Sequence, residues 1–350
     1  MKKERYIAYV GTYTNGQSVG IQIFDIDPAT GLMQPKGAAE VCNPSALVVS
    51  HSGKYLYSIA DMGVQAFKIL PDGALEFINI APTGGMRGCD ICIDKKDRYV
   101  FVAGYHDGRV SMLKVNEDGS IGDIADGVFH KGIGVSIIDK NSMPHVTDVT
   151  LTPDEKYLCA VDQGLNQTQL YEIDYEEGKL KRGGILRCQL DASPRKLLFG
   201  KDGKFAYLLC EGLVCVNVYS YDNTDGPGFK MIDSYSTLYK NDPDRCAPFG
   251  MDISDDGKHL FCSNAGTNTA IIFEIDQKKG LLSEICHTKI SGNFPKAICA
   301  MPDGKHFLSL NHDANEIVNF EVNYEKNYFL LKGKPISVES PNNIVIHKLK

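Results

Sequence analysis

Short apolar runs recur along this chain, and the same kind of turn separates them. A run that opens on a proline is followed by a Gly-Lys-type turn and then by a second apolar run. Asn43-Pro44-Ser45 leads to Ser52-Gly53-Lys54-Tyr55, and Ser193-Pro194-Arg195 leads to Asp202-Gly203-Lys204-Phe205. Ala247-Pro248-Phe249 leads to Asp256-Gly257-Lys258-His259, and Phe294-Pro295-Lys296 leads to Asp303-Gly304-Lys305-His306. Pro144-His145-Val146 precedes a variant turn, Asp154-Glu155-Lys156-Tyr157, and a copy without the proline runs from Arg87-Gly88 to Lys96-Asp97-Arg98-Tyr99. A third apolar run follows in each unit, such as Ala270-Ile271-Ile272-Phe273, then an acidic or glycine turn and a fourth run. Runs this short, bounded by Gly and Asp, predict strands rather than helices. Four strands per unit, repeating about every 50 residues, predict the blades of a propeller.

Six units are complete, while residues 5–40 hold only the later strands of a further one. Ser340-Pro341-Asn342-Asn343-Ile344 has the form of its missing first strand. The expected fold is all-β: one domain over residues 1–350, a seven-bladed β-propeller whose C-terminal strand completes the N-terminal blade. Closure pairs edges that otherwise invite aggregation. An open solenoid of the same repeats needs polar end caps, and none stands out. Tyr55, Tyr99, Tyr157 and Phe205, each just after its turn, are assigned to blade packing.

Composition narrows the class. The 350 residues carry a net charge of −7, which argues against a nucleic-acid partner. No stretch approaches the roughly 18 apolar residues of a membrane span. The charged start, Met1 to Arg5, is followed by an apolar run too short for a secretory signal. Eleven cysteines, an odd number, fit a reducing cytoplasm. Cys89 and Cys92 form a Cys-x-x-Cys pair in a strand-like run, where residues three apart point to opposite faces, and are assigned to packing. His51, His130 and His287 read as scattered surface or turn residues, Lys240 to Arg245 as a solvated loop, and Asp225-Gly226-Pro227-Gly228 as a turn.

In a four-stranded meander the start of the first strand and the end of the second share one face, opposite the Gly-Lys turns. The residues just after the prolines are Ser45, His145, Arg195, Phe249, Lys296 and Asn342. The second strands end near Asp61, Tyr105-His106-Asp107, Asp162, Glu211, Asn264 and Asn311-His312. A ring of blades gathers these around the mouth of a central channel, and a concave polar cluster is where a site is expected. The competing reading is a solvated face on which Arg195 and Glu211 form an ion pair.

At these residues the chain resembles the lactonase family of seven-bladed propellers, which includes propeller-type 6-phosphogluconolactonases and carboxy-muconate cyclases. Gly11-Thr12-Tyr13-Thr14, Asn43-Pro44-Ser45, Pro144-His145, Pro194-Arg195, Glu211 and Ser263-Asn264 carry the resemblance. The resemblance implies His145, Arg195 and Glu211 as catalytic residues. Repeat position adds Lys296, Asp162, Tyr105, Asn264 and Asn311 as substrate-binding residues. The chain has Thr147 where the family often has a second histidine, Ala265 where it often has arginine, and Lys140-Asn141-Ser142-Met143 where it has an Arg-Gln pair. The implied reaction is hydrolysis of a sugar lactone, 6-phosphogluconolactone-like, with no cofactor and no metal. Histidine is the residue type suited to activate water near neutral pH, Glu211 orients it or serves as base, and Arg195 meets the oxyanion or an anionic group. Three other readings stand beside this one. They are a non-enzymatic propeller binding a ligand or protein, a muconate-type lactonizing isomerase, and a metal-dependent lactonase using Asn264, Asp162 and Glu211.

Overall fold

Each unit folds as an antiparallel meander running from the channel to the rim. The computed structural model describes residues 4–134, 143–239 and 246–349, and its strands form seven sheets in a ring. The fourth blade is typical, with Val146–Leu151 innermost, then Tyr157–Asp162, Gln167–Asp174 and Lys179–Arg187. The seventh adds Ile336–Ser337 as a short fifth strand. Of the segments singled out above, Lys140 to Ser142 and the Lys240 to Arg245 loop lie outside the described residues. Among the described residues no helix is long and apolar enough to cross a membrane.

The sequence pattern explains the order of strands. Second strands such as Tyr55–Ala60, Tyr157–Asp162 and Phe205–Cys210 are buried almost throughout because both faces are covered by neighbouring blades. The outermost strands Leu32–Glu40 and Lys179–Arg187 are largely exposed, with an occasional buried side chain. Tyr55, Tyr99 and Phe205 pack between blades, and Tyr99 is buried.

The turns on the lower face need one left-handed residue. Gly53, Gly203, Gly257 and Gly304 supply it, with φ of 70°, 72°, 73° and 69°. Two blades use Asp97 and Glu155 instead, at φ 54° and 58°. Each of those two side chains reaches the turn of the preceding blade. Asp97 accepts from the His51 and Ser52 amides, and Glu155 accepts from the Lys95 amide.

Closure follows the expected route. Pro341–Lys348 lies innermost in the first blade and pairs antiparallel with Tyr6–Thr12, from Tyr6↔Lys348 to Thr12↔Pro341. The two ends of the chain are thus neighbours in one sheet.

On the upper face the inner strands begin abruptly. Asn43, Ser193, Phe294 and Ser340, each just before a proline, adopt φ of 52°, 47°, 54° and 42°, a region sparsely used by non-glycine residues. The next step is irregular too. In five blades the register slips by one residue, between Val146/Asp148, Pro194/Lys196, Pro248/Gly250 and Pro295/Ala297, and opposite Gly11/Thr12. These are β-bulges, which free one residue from the ladder and re-aim its side chain. The residues so freed are Thr147, Arg195, Phe249, Lys296 and Asn342.

Candidate active site

The bulge residues build the site. A cavity of about 520 Å³ opens on the upper face, lined by Thr147, Arg195, Phe249, Lys296 and Asn342 together with Ser45 and Cys89 from the two remaining blades. Every blade thus contributes one residue to a single ring. Three members are short and tie their blade to the next. Ser45 Oγ donates to the Gly88 carbonyl at 2.9 Å, Cys89 Sγ to Val146 at 3.2 Å, and Thr147 Oγ1 to Arg195 at 2.8 Å. Burial pushes the Cys89 thiol well above its ordinary range, so it sits there as a neutral donor.

Arg195 is the best-supported of the long members. Its Nη1 donates to Glu211 Oε2 at 2.7 Å, and its guanidinium lies 3.2 Å from the centre of the Phe249 ring. Gln163 Nε2 donates to the same Glu211 oxygen at 2.9 Å. Glu211 therefore orients the arginine, and among the described residues no hydrogen bond or ion pair joins it to His145. The imidazole of His145 is held elsewhere. It stacks on the Tyr105 ring, centroids 4.4 Å apart, and its Nδ1 lies 2.8 Å from the Tyr105 carbonyl. A carbonyl only accepts, so Nδ1 carries the proton and Nε2 is left as the acceptor. Tyr105 lines the cavity and His145 stands just behind it.

The opposite wall holds Tyr13, Arg87 and Lys296. Lys296 Nζ is 3.0 Å from the Tyr13 hydroxyl, and Arg87 Nη1 pairs with Asp61 at 3.0 Å. Sequence reasoning passed over Tyr13 and Arg87, because neither follows a proline or ends a second strand in the counted pattern.

The floor is acidic. Asp90 and Asp148, on the inner strands of adjacent blades, both line the cavity, and each accepts a backbone N–H from the following blade, Val149 at 3.0 Å and Leu197 at 3.2 Å. Burial raises the pKa of both, with Lys196 opposing; the Asp90 carboxyl pushes Asp148 up further, while its hydrogen bond with Asp148 holds Asp90 down.

A family model described as lactonase, 7-bladed beta-propeller, matches residues 7–346. The chain belongs to this lactonase family. A 6-phosphogluconolactonase of Bacillus subtilis is 29% identical over 343 residues, covering 96% of this chain and 97% of the relative. A 6-phosphogluconolactonase of Formosa agariphila is 28% identical over 331 residues, covering 91% and 92%. Among solved structures, a putative 6-phosphogluconolactonase of Bacteroides fragilis superposes with a TM-score of 0.90 at 29% identity, covering 99% of this chain and 98% of that one. A periplasmic gluconolactonase of Pseudomonas aeruginosa shares the fold, with a TM-score of 0.92 at 24% identity, covering 99% of this chain and 100% of that one.

Within this lactonase propeller, three of the expected binding residues are placed differently. Asp162, Asn264 and Asn311 are wholly buried, away from the cavity. Asp162 accepts from His130 and from the amides of His145 and Leu165. Asn264 donates to Thr237 and Thr269, and Asn311 to Ser291 and Glu316. The reason is register. These three pair with Val146, Pro248 and Pro295, as Cys210 pairs with Pro194. Glu211 is one residue further on, so alternation turns it outward. The metal reading gains nothing from these residues: Asp162 and Asn264 are buried in separate blades away from the cavity, and among the described residues no group of three or more His, Cys, Asp or Glu side chains is placed to hold a metal ion. His130 and His287 also differ from expectation. His130 is buried on Asp162 at 2.6 Å, and His287 packs against Tyr239, with burial lowering its pKa to about 4.

The floor yields a stability prediction. With both carboxyls raised, the native state binds a proton more tightly than the unfolded chain. Stability is therefore highest below the unfolded pKa near about 3.9 and is lost as pH rises toward the native value. Asp148→Asn keeps an acceptor for the Leu197 amide and removes the charge. Its Tm is expected to exceed wild type by roughly 2 °C or more at pH 7, with the gain vanishing near pH 4. A variant no more stable than wild type in calorimetry at pH 7 contradicts this account.

Proposed function

We propose that the chain hydrolyses a sugar lactone related to 6-phosphogluconolactone. The observation that carries the reading is the projection of Arg195 by a bulge into a cavity that also holds Lys296, with Glu211 fixing its guanidinium. The relatives named 6-phosphogluconolactonase support the same substrate class.

In this reading water attacks the lactone carbonyl, and its proton passes through one bridging water to Nε2 of His145, which stands behind Tyr105. Negative charge developing on the carbonyl oxygen is met by Arg195, already oriented by Glu211 and therefore needing little reorganisation. Collapse breaks the bond to the ring oxygen, which takes the proton from the imidazolium and leaves as a hydroxyl. The product is the open-chain acid, and the imidazole is neutral again. Lys296 and Tyr105 contact the substrate from the walls. No step calls for a metal. We place the reaction in the cytoplasm, on the cysteine content of the sequence.

A panel of sugar and phosphosugar lactones, followed by proton release with and without chelator, tests the proposal. Saturable hydrolysis of at least one lactone, indifferent to chelator, is expected. Failure on every lactone favours a binding module, and loss on chelation assigns the water activation to a metal ion.

A further inference from the structure

The two walls of the cavity differ in how their charges are answered. Arg195 has Glu211 at 2.7 Å. Across the cavity Arg87 has Asp61 at 3.0 Å, a half-exposed pair that solvent screens. Lys296 is different. Among the described residues its ammonium forms no ion pair, and its polar partner is the Tyr13 hydroxyl at 3.0 Å, with the Tyr13 ring centre 4.2 Å away. Burial holds its pKa below the ordinary lysine value, and the charges of Arg195 and Arg87 push the same way, against Tyr13. A cation taken out of water without a counter-charge is costly unless something else supplies one.

A second, independent observation points to a ligand at this wall. Asn342, the bulge residue of the first blade, is only 6% exposed and lines the cavity, yet neither Nδ2 nor Oδ1 of its amide has a hydrogen-bond partner. Buried polar groups are paired in most structures, and an orphaned amide in a cavity wall calls for an absent partner. Arg87 completes the wall, its guanidinium 5.5 Å from the Tyr13 ring centre. One guanidinium, one ammonium, one phenol and one amide offer several donors to an anion and a donor-acceptor group to an adjacent hydroxyl.

We propose that Tyr13, Arg87, Lys296 and Asn342 form a subsite for a phosphomonoester, holding the phosphate end of a phosphosugar while its carbonyl end faces Arg195. The subsite rests on the lactonase reading for the direction of the substrate, but not for recognition of the phosphate. Lys296 supplies the point charge and Arg87 a fork that matches phosphate oxygens. Asn342 takes the sugar hydroxyl beside the phosphate.

The test separates the two readings. Calorimetric binding of 6-phosphogluconate, gluconate and inorganic phosphate is compared for the wild type, Lys296→Met, Lys296→Arg and Asn342→Ala, alongside kcat/KM for the phosphorylated and unphosphorylated lactones. The wild type is expected to bind 6-phosphogluconate at least about tenfold more tightly than gluconate. Lys296→Met is expected to shrink that ratio about tenfold or more, Lys296→Arg to retain most of it, and the kcat/KM ratio to follow. Asn342→Ala weakens 6-phosphogluconate but not inorganic phosphate. Equal losses on phosphorylated and unphosphorylated ligands in Lys296→Met, or no preference in the wild type, overturn the subsite. Phosphate-dependent binding with no turnover of either lactone leaves the subsite standing and removes the hydrolase reading. Unaltered thermal unfolding of Lys296→Met shows that any loss is local.

Discussion

Replacing Arg195 with alanine is expected to lower kcat for sugar-lactone hydrolysis about a hundredfold, the scale of losing one preorganised oxyanion donor. The expectation follows from how the side chain is held. The bulge at Pro194/Lys196 frees it from the ladder, Glu211 fixes its fork, and Phe249 covers its face. An arginine built this firmly contributes through position as well as charge. Arg195→Lys keeps the charge and loses the fork, so it is expected to recover only part of the rate. Alanine also leaves Glu211 with Gln163 as its donor, so thermal unfolding has to be measured beside the kinetics. His145→Ala is expected to cost a similar factor in kcat. Wild-type kcat in Arg195→Ala, with the protein folded, removes the arginine from the chemistry.

The other large effect is on folding. A chain ending at Ser340 lacks the innermost strand of the first blade. It exposes Ile7, Ala8, Tyr9 and Val10, all fully buried in the complete ring, along an unpaired strand edge. It also loses the Asn343 acceptor that receives the Leu47 amide of the second blade at 3.1 Å. Expression of this truncated chain is expected to give aggregate, with no cooperative thermal transition. Adding the 341–348 segment as a separate peptide during refolding should restore soluble protein. A soluble truncated monomer with wild-type Tm would show that closure does not hold the ring together.

The blades were legible because their signals are local: an apolar run, a turn needing a left-handed residue, another apolar run. The split first blade was legible for the same reason, Ser340-Pro341-Asn342 repeating the form of Asn43-Pro44-Ser45. The site was legible only in part, because prolines set the count. Pro144 stands two residues ahead of the position that Pro194, Pro248 and Pro295 occupy, which is taken by Val146. Counting from proline therefore aligned His145 with Arg195, whereas Thr147 is the true counterpart. Counting back from the lower turn succeeds. Ser45 and Tyr55, Cys89 and Tyr99, Thr147 and Tyr157, Arg195 and Phe205, Phe249 and His259, and Lys296 and His306 are each ten residues apart. Asp162, Asn264 and Asn311 were misplaced by a single residue, enough in a strand to turn a side chain from cavity to core. Asp90 and Asp148 belong to no repeated motif, Arg87 opens the copy that lacks the proline, and only the ring brings the three to the cavity.

The ring of bulge residues has a consequence for how such a protein changes. A residue freed from the ladder carries none of its register, so Arg195, Phe249, Lys296 and Asn342 are exchangeable without disturbing strand pairing. They lie far apart in the chain and side by side in space. Mutation samples them one at a time, each altering one wall of the cavity while the others stay as they were. The frame is held by the ladder, and the ligand is written in these four separate letters. A library randomised at these few codons alone would explore new substrates at little risk to folding.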